Sequence, residues 1–212
     1  MFEQALSGNT KTVLALLGDS DVLGYSYLAG GTGIALQLGH RISIDLDFFT
    51  PEEFDIDALV KRLSEINQFT LEGKKWGTVT GEFGEVKFSI FVYQYPVILP
   101  FKSFLKVNIM DVREIAAMKL EAIATRGKKR DFIDLYFVVQ GIEGLKGILS
   151  LYNKKYGKFG NKMVHIMKGL TYFEDAEAEE LPRMLVPVDW KEVKRFFEEE
   201  VRKIGREFLE EG

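Results

Sequence analysis

The segment from Leu28 to Phe49, LAGGTGIALQLGHRISIDLDFF, constrains the fold of this chain more than any other. A short apolar run ends at Gly30-Gly31, a short helical stretch follows, and apolar and polar residues then alternate. Alternation with a period of two predicts a strand over Ile42–Phe49, with Asp45 and Asp47 on the same face. The segment therefore predicts a strand–helix–strand unit that presents two neighbouring carboxylates.

The glycine pair is suited to holding a phosphate. Gly30 and Gly31 have no Cβ, so a phosphate can approach their backbone closely. We expect Thr32 to cap the helix that follows, and the first N–H groups of a helix bind anions. These three residues are candidate phosphate-binding residues.

The aspartate pair is suited to holding a metal ion. Two carboxylates on one face of a strand repel each other, and a divalent cation would relieve that repulsion. Hard carboxylate oxygens favour Mg²⁺ or Mn²⁺, and such ions assist phosphoryl displacement. The alternative is that Asp45 and Asp47 only face water, although aspartate is uncommon in strands. We interpret the pair as a metal site.

The composition excludes several classes of enzyme. The chain has no cysteine, which excludes disulfides, thiolate metal sites and thiol nucleophiles. Its two histidines, His40 and His165, lie far apart in sequence, so a zinc site or a serine hydrolase triad is not expected. We interpret His40 as an ordinary loop residue.

Charge is distributed unevenly along the chain. Residues 100–170 carry 14 Lys/Arg against 6 Asp/Glu, while the segments on both sides are acidic. A basic segment of this kind predicts a surface for a polyanion such as RNA, with a set of solvated helix faces as the alternative. No apolar run approaches the length of a membrane span, and no secretory signal is evident, so we expect a cytoplasmic protein without a membrane partner.

The order of elements predicts an α/β (α+β) fold with a helical C-terminal part. Strands are predicted at residues 25–29, 42–49, 68–71, 78–82 and 85–93, mixed with short helices. From Asp111 onward the apolar spacing is helical. We therefore expect a mixed sheet flanked by helices in an α/β core over residues 1–140, and a helical region over residues 141–212.

Taken together, these motifs resemble a known signature. Gly30-Gly31-Thr32 followed by Asp45-Leu46-Asp47 resembles the polymerase-beta nucleotidyltransferase superfamily. With Tyr93-Gln94-Tyr95-Pro96 and the segment MKLEAIATRGKKRDFIDLYF (residues 118–137), the chain looks like the AbiEii/AbiGii toxin family of nucleotidyltransferases. The resemblance runs from about residue 24 to residue 140. It implies a nucleotidyltransferase-type sheet and metal-dependent transfer of a nucleotide from an NTP.

The resemblance also assigns roles to individual residues. It implies that Asp45 and Asp47 hold the metal, that Lys119 binds phosphate, and that Asp131 is the acidic residue after the basic turn. Lys119 and Arg126 are seven residues apart, hence on nearly one helix face, where two cations could hold a triphosphate. Arg41 would bind phosphate, orient Asp47 or form a structural ion pair. The implied partners are an RNA (tRNA-like) or protein acceptor and an antitoxin.

One position departs from the family pattern. Superfamily enzymes add a third carboxylate from a later strand, and the stretch EVKFSIFVYQYP places Ser89 there. A serine hydroxyl is a poor metal ligand and cannot serve as the base for an attacking hydroxyl. Two hypotheses follow: an active nucleotidyltransferase, or a degenerate member that binds a nucleotide or a partner without turnover. A plain nucleic-acid-binding protein is a third, but it leaves the aspartate pair unexplained.

Overall fold

Two compact units make up the protein, Met1–Asp111 and the residues from Val112 onward. The structure, a computed structural model, describes residues 1–66, 68–157 and 162–210. The first unit holds the strands and the second is helical, as the order of elements predicts. The domain boundary predicted at residue 140 concerns the extent of a transferase core, which this division does not test, and it stays a prediction.

A mixed sheet forms the first unit. Its strands are β1 (Tyr27–Leu28), β2 (Leu46–Thr50), β3 (Phe69–Lys75), β4 (Thr78–Phe83), β5 (Val86–Val92), β6 (Lys102–Phe104) and β7 (Val107–Ile109). Across the described residues they form one sheet in the order β3-β4-β5-β2-β1-β7-β6. β2 pairs in parallel with β5 on one side and antiparallel with β1 on the other. The strand that carries Asp47 therefore lies in the middle of the sheet.

The two faces of the sheet differ in character. Leu46, Phe48, Phe88 and Ile90 point to one face and belong to the main hydrophobic core. Residues between them in sequence point to the other face, so Asp47 is directly opposite Ser89 in the pairing of β2 with β5. Burial of the first face fixes the register, because a slip of one residue would expose the whole core set.

The helices of the first unit are α1 (Gly8–Asp19), α2 (Gly30–Leu38) and α3 (Ile56–Ser64). Their ends follow from local chemistry. The Asp55 carboxylate accepts a hydrogen bond from the Ala58 N–H at 3.0 Å and so caps α3. Gly39 ends α2 with a φ of 67°, a left-handed conformation that favours glycine.

The strand predicted over Ile42–Phe49 is partly wrong. β2 begins only at Leu46, and Ser43 makes an isolated bridge to Leu6. Ser43 is buried, whereas Ile44 is 49% exposed, so the alternation of the sequence does not describe the faces before Leu46. The sequence also misses β6 and β7, which are short and joined by a tight turn in which Leu105 and Lys106 have φ values of 50° and 60°.

The second unit is built from helices in its described part. They are α4 (Val112–Arg126), α5 (Lys129–Gly141), α6 (Leu145–Tyr156), α7 (Lys162–Gly169), α8 (Glu174–Glu177) and α9 (Trp190–Glu210). The Phe132 ring lies at the centre of an aromatic cluster with Phe173, Trp190 and Phe197, at centroid distances of 5.1 to 5.8 Å. This cluster joins α5 to α9. No helix of the described residues is long and apolar enough to cross a membrane.

An ion pair is buried within this helical unit. The Lys155 ammonium lies 2.7 Å from the Glu114 carboxylate, and both side chains are 0% exposed. Burial lowers the pKa of Lys155, against the opposing effect of Glu114. Because loss of one partner would leave the other charge buried, the pair ties α6 to α4.

Candidate active site

Asp47 and Ser89 meet on the open face of the sheet. They are register partners in the pairing of β2 with β5, and the Ser89 hydroxyl donates a hydrogen bond of 2.6 Å to Asp47 Oδ1. The sequence predicts this geometry through the alternation of β5, and the structure confirms it. A carboxylate at position 89 would therefore lie beside Asp47.

The backbone of Gly30 lies against the same carboxylate. Gly30 has a φ of 60°, and a Cβ added there would lie 2.7 Å from Asp47 Oδ2. The chain is held at this point by the Ala29 N–H, which donates to the Asp47 carbonyl at 3.0 Å. A side chain would fill this space, so glycine is needed both for the conformation and for the close approach.

Helix α2 begins beside the Asp47 carboxylate. Its N-cap is Ala29, and the Gly33 N–H already donates to the Ala29 carbonyl. The prediction that Thr32 caps the helix is therefore wrong. The N–H groups of Gly30, Gly31 and Thr32 lie in the first turn, where a helix has no internal acceptors and where its dipole favours an anion.

Thr32 has a different task. Its hydroxyl donates to Ser43 Oγ at 2.8 Å and to the Asp45 carbonyl, and the residue is only 1% exposed. It thus fastens the segment before β2 to the first turn of α2. Sequence reasoning missed Ser43, although a serine among the apolar residues of this segment is the signal that could have indicated a buried polar contact.

Asp45 and Asp47 fit a divalent metal ion by their chemistry. Both are half-buried, and Asp45 immediately precedes β2 while Asp47 lies within it. Mg²⁺ usually takes one or two protein carboxylates and completes its shell with water and substrate phosphates. No group of three or more His, Cys, Asp or Glu that could hold a metal occurs in the described part of the chain. The Asp47 carboxylate beside the first turn of α2, with Asp45 two residues before it, is compatible with such a phosphate-completed site.

Arg41 and His40 are both buried, with exposures of 4% and 1%. The Arg41 guanidinium donates to the Ile42 carbonyl at 3.1 Å. This burial favours the structural alternative for Arg41, while its contact with phosphate stays a prediction. The interpretation of His40 as an ordinary loop residue needs correction, because the side chain is packed inside the unit and not at the surface.

In the second unit, the predicted residues of α4 and α5 form one ion-pair network. The Lys119 ammonium lies 2.6 Å from Asp131 and 2.8 Å from Asp134. Arg126 binds Asp131 with two nitrogens, at 2.9 and 3.3 Å. Asp131 and Asp134, three residues apart on α5, share a helix face and both contact Lys119. Lys119 and Arg126 also converge, but both bind the Asp131 carboxylate, a contact that their spacing in sequence does not predict.

The network controls the ionisation of Asp131, which is fully buried. Burial alone would raise the pKa of this carboxyl, but the Lys119 ammonium and the Arg126 guanidinium outweigh it and hold the pKa below its usual range. Asp131 therefore stays charged and fixes the position of Lys119. Only Arg126, whose side chain is 50% exposed, reaches solvent to a large extent.

Part of the basic segment of the sequence is compensated in the fold, and the predicted surface for a polyanion stays a prediction. Lys129 is buried, its backbone N–H donates to Glu179 at 2.8 Å, and its ammonium donates to the Glu179 carbonyl. Lys146 pairs with Glu207 at 2.8 Å. Lys129 is therefore not a plain surface residue. Acidic residues from the C-terminal segment meet basic residues of the middle one, so charge separated in sequence is mixed in space.

Comparison with known proteins gives a consistent result. The model of a family described as nucleotidyl transferase AbiEii toxin, type IV toxin–antitoxin system, matches residues 13–209. The chain is 38% identical over 183 residues to the uncharacterized protein aq_aa25 of Aquifex aeolicus (strain VF5), covering 84% of this chain and 86% of that protein.

Two solved structures share the fold. A proposed nucleotidyltransferase from H. pylori matches with a TM-score of 0.59 and 17% identity, over 100% of this chain and 99% of that one. MenT4, the nucleotidyltransferase toxin Rv2826c of Mycobacterium tuberculosis H37Rv, matches with a TM-score of 0.56 and 16% identity, over 92% and 86% of the two chains. At these identities the likeness concerns the fold alone, and it confirms the predicted fold class.

Proposed function

The chain belongs to the AbiEii family of nucleotidyl transferase toxins, and we propose that it transfers a nucleotide from an NTP to an RNA (tRNA-like) or protein acceptor in a metal-dependent reaction. The observation that carries the proposal is the position of Asp47. Its carboxylate lies between the backbone of Gly30 and the Ser89 hydroxyl, beside the first turn of α2. Metal-binding and phosphate-binding groups are thus adjacent.

Each group of this site has a proposed task. Asp45 and Asp47 hold Mg²⁺ or Mn²⁺, which would neutralise the phosphates and orient them for displacement. The N–H groups of Gly30, Gly31 and Thr32 receive phosphate oxygens at the helix N-terminus. The backbone of Gly30 leaves room for these oxygens because no Cβ intervenes.

The reaction needs one bond to form and one to break. The oxygen of an acceptor hydroxyl attacks the α-phosphorus, the bond from that phosphorus to the bridging oxygen of the β-phosphate breaks, and pyrophosphate leaves. The hydroxyl proton passes to water, because Ser89 cannot accept it as a carboxylate would. Positioning and charge neutralisation then supply most of the catalysis, as is usual in phosphoryl transfer.

For the ion-pair network of the second unit, the proposed roles rest on the family resemblance. We assign Lys119 and Arg126 to phosphate neutralisation and Asp131 to holding both cations in place, with Arg41 as a further candidate for phosphate. The bidentate contact of Arg126 with Asp131 restrains its guanidinium. As the family is one of toxins, we also propose that an antitoxin partner limits this activity.

A second function is favoured by one observation. Ser89 is hydrogen-bonded to Asp47 at the place of the third carboxylate, which favours a protein that binds a nucleotide or a partner without turnover. The two functions differ in rate and not in nucleotide binding. A measured transfer rate therefore separates them.

The experiment uses Asp47→Asn, with Asp57→Asn as the matched control. Asp57 is an exposed aspartate of the same unit, paired with Lys74. Calorimetry should show Mg²⁺-dependent NTP binding by the wild type and by Asp57→Asn, and none by Asp47→Asn. Transfer from α-³²P-labelled NTPs to total RNA or to protein should follow the same pattern. Equal Mg²⁺-dependent NTP affinity in all three proteins would exclude the proposed site.

A further inference from the structure

A row of aromatic rings continues the Asp47 face of the sheet beyond the carboxylate. Phe49 follows Asp47 by two residues on β2, and Phe91 follows Ser89 by two residues on β5. The two phenylalanines are register partners, and their ring centroids lie 5.4 Å apart. Tyr93 meets Phe49 edge to face at 5.3 Å. We call Phe49, Phe91 and Tyr93 the aromatic row.

These rings are not part of the main core. The core cluster contains Phe48, Phe88 and Ile90 from the other face of the same strands, and it contains none of the aromatic row. All three rings of the row are half-buried. Tyr95, which packs on Tyr93 at 5.0 Å, is 45% exposed, so the row opens toward solvent at this end.

The row also has a rigid support. Tyr27 of β1 is the register partner of Phe49, lies at a centroid distance of 6.3 Å from it with the rings nearly parallel, and is fully buried. Tyr27 therefore holds the Phe49 ring from the side away from β5. Rings that are fixed in this way lose little conformational freedom when a flat ligand stacks on them.

The spacing fits a nucleotide. One step of two residues along a strand separates Asp47 from Phe49 by about 6 to 7 Å. In a nucleotide the ribose separates the phosphate from the base, so a phosphate held at Asp47 places its base over neighbouring residues of the same face. Toward the C-terminal ends of β2 and β5 those residues are Phe49 and Phe91, and every nucleobase has a flat face that stacks on such rings.

We propose that the aromatic row binds the nucleobase of the NTP whose phosphates bind at Asp47. This inference rests on the proposed function and assigns the base-binding part of the same site. Stacking recognises the flat face and not the hydrogen-bonding edge of a base. The row therefore increases affinity for every NTP and selects little among the four.

The test compares two ligands, an NTP and inorganic tripolyphosphate, each with Mg²⁺. Phe91→Leu keeps an apolar side chain and removes the ring. Because a stacked base contributes about 1 to 3 kcal/mol, Phe91→Leu should weaken NTP binding roughly 5- to 150-fold in calorimetry. The affinity for tripolyphosphate should not change, and Phe91→Trp should keep the affinity for NTP.

Phe88→Leu is the matched control, since Phe88 lies on the same strand with its ring in the core. It should lower thermal stability and leave the ratio of the two affinities as in the wild type. Tyr93→Leu is the second variant, and thermal unfolding checks that each protein is folded. A lower NTP affinity in Tyr93→Leu alone also supports the inference if Phe91→Leu does not fold.

Four outcomes would overturn the inference. If the wild type binds tripolyphosphate as tightly as NTP, the inference fails but the proposed function stands. The same holds if the NTP affinity is unchanged in both Phe91→Leu and Tyr93→Leu. An equal loss for both ligands assigns the row a structural role. If the wild type binds neither ligand with Mg²⁺, the proposed function fails and the inference fails with it.

Discussion

Replacement of Gly30 by alanine tests whether this glycine sets the position of Asp47. The new Cβ would lie 2.7 Å from Asp47 Oδ2, and ordinary contact begins at 3.4 Å, so the carboxylate must retreat by about 0.7 Å. A left-handed φ costs a residue with a Cβ about 1 to 2 kcal/mol. Movement of Asp47 also weakens its hydrogen bond with Ser89, which adds about 0.5 to 1.5 kcal/mol.

Gly84→Ala is the matched control, because it has the same left-handed φ without the clash. Gly84 has a φ of 61°, but a Cβ there would meet nothing closer than 3.4 Å. The unfolding free energy of Gly84→Ala should therefore fall only by the cost of the left-handed φ. That of Gly30→Ala should fall by about 0.5 to 1.5 kcal/mol more, as measured by urea unfolding. Transfer by Gly30→Ala should fall by up to about 100-fold, because misplacement of a catalytic group by about 1 Å has effects of that size. Equal stability loss and equal transfer rates in both variants would refute the reasoning.

Three further predictions concern Ser89, Asp131 and the β6–β7 turn. Ser89→Asp places a carboxylate against Asp47, so the melting temperature of this variant should fall in EDTA and recover with Mg²⁺. Transfer of labelled nucleotide should rise at least about tenfold, and an unchanged rate would mean that another group already acts as the base. The wild type should exceed Asp131→Asn in unfolding free energy by about 3 to 5 kcal/mol at neutral pH. Since the folded-state pKa of Asp131 is lowered, this advantage should persist down to about pH 4 and shrink below it, and urea titrations that show a constant difference down to pH 2 would contradict this. Lys106→Gly suits the positive φ of this exposed turn position, and its pair with Asp19 is exposed, so the change should raise the unfolding free energy by about 1 kcal/mol, visible as a higher urea midpoint at constant slope.

The sequence predicts those parts of the site in which alternation within a single strand decides the face of a side chain. Alternation in β5 places Ser89 and Lys87 on one face, and a single register then sets Ser89 opposite Asp47. The register itself follows from burial of the other face, which is apolar in both strands. Local patterns are sufficient where one face is buried and the other is not.

Other parts required contacts that sequence spacing does not contain. Lys119 and Arg126 have the spacing of two free cations on one helix, but Asp131 from the next helix engages both. Lys129 is far in sequence from Glu179, and nothing local indicates that the two meet. Ion pairs between helices depend on how the helices pack, so charge patterns along the chain overstate the charge available to ligands.

The place of β1 in the sheet also determines when the site is completed during synthesis. β1 pairs with β2, which is made soon after it, and with β7, which is the last strand of the sheet in chain order. At about 5 to 20 residues per second, β1 waits roughly 4 to 16 s for β7. During this interval the nascent chain contains Asp47 but not the finished sheet that holds it. The ribosome therefore releases most of the first unit before the carboxylate, the glycine backbone and the aromatic rings have a stable frame, so this frame is completed only after β7, which ends at Ile109 of the 212 residues.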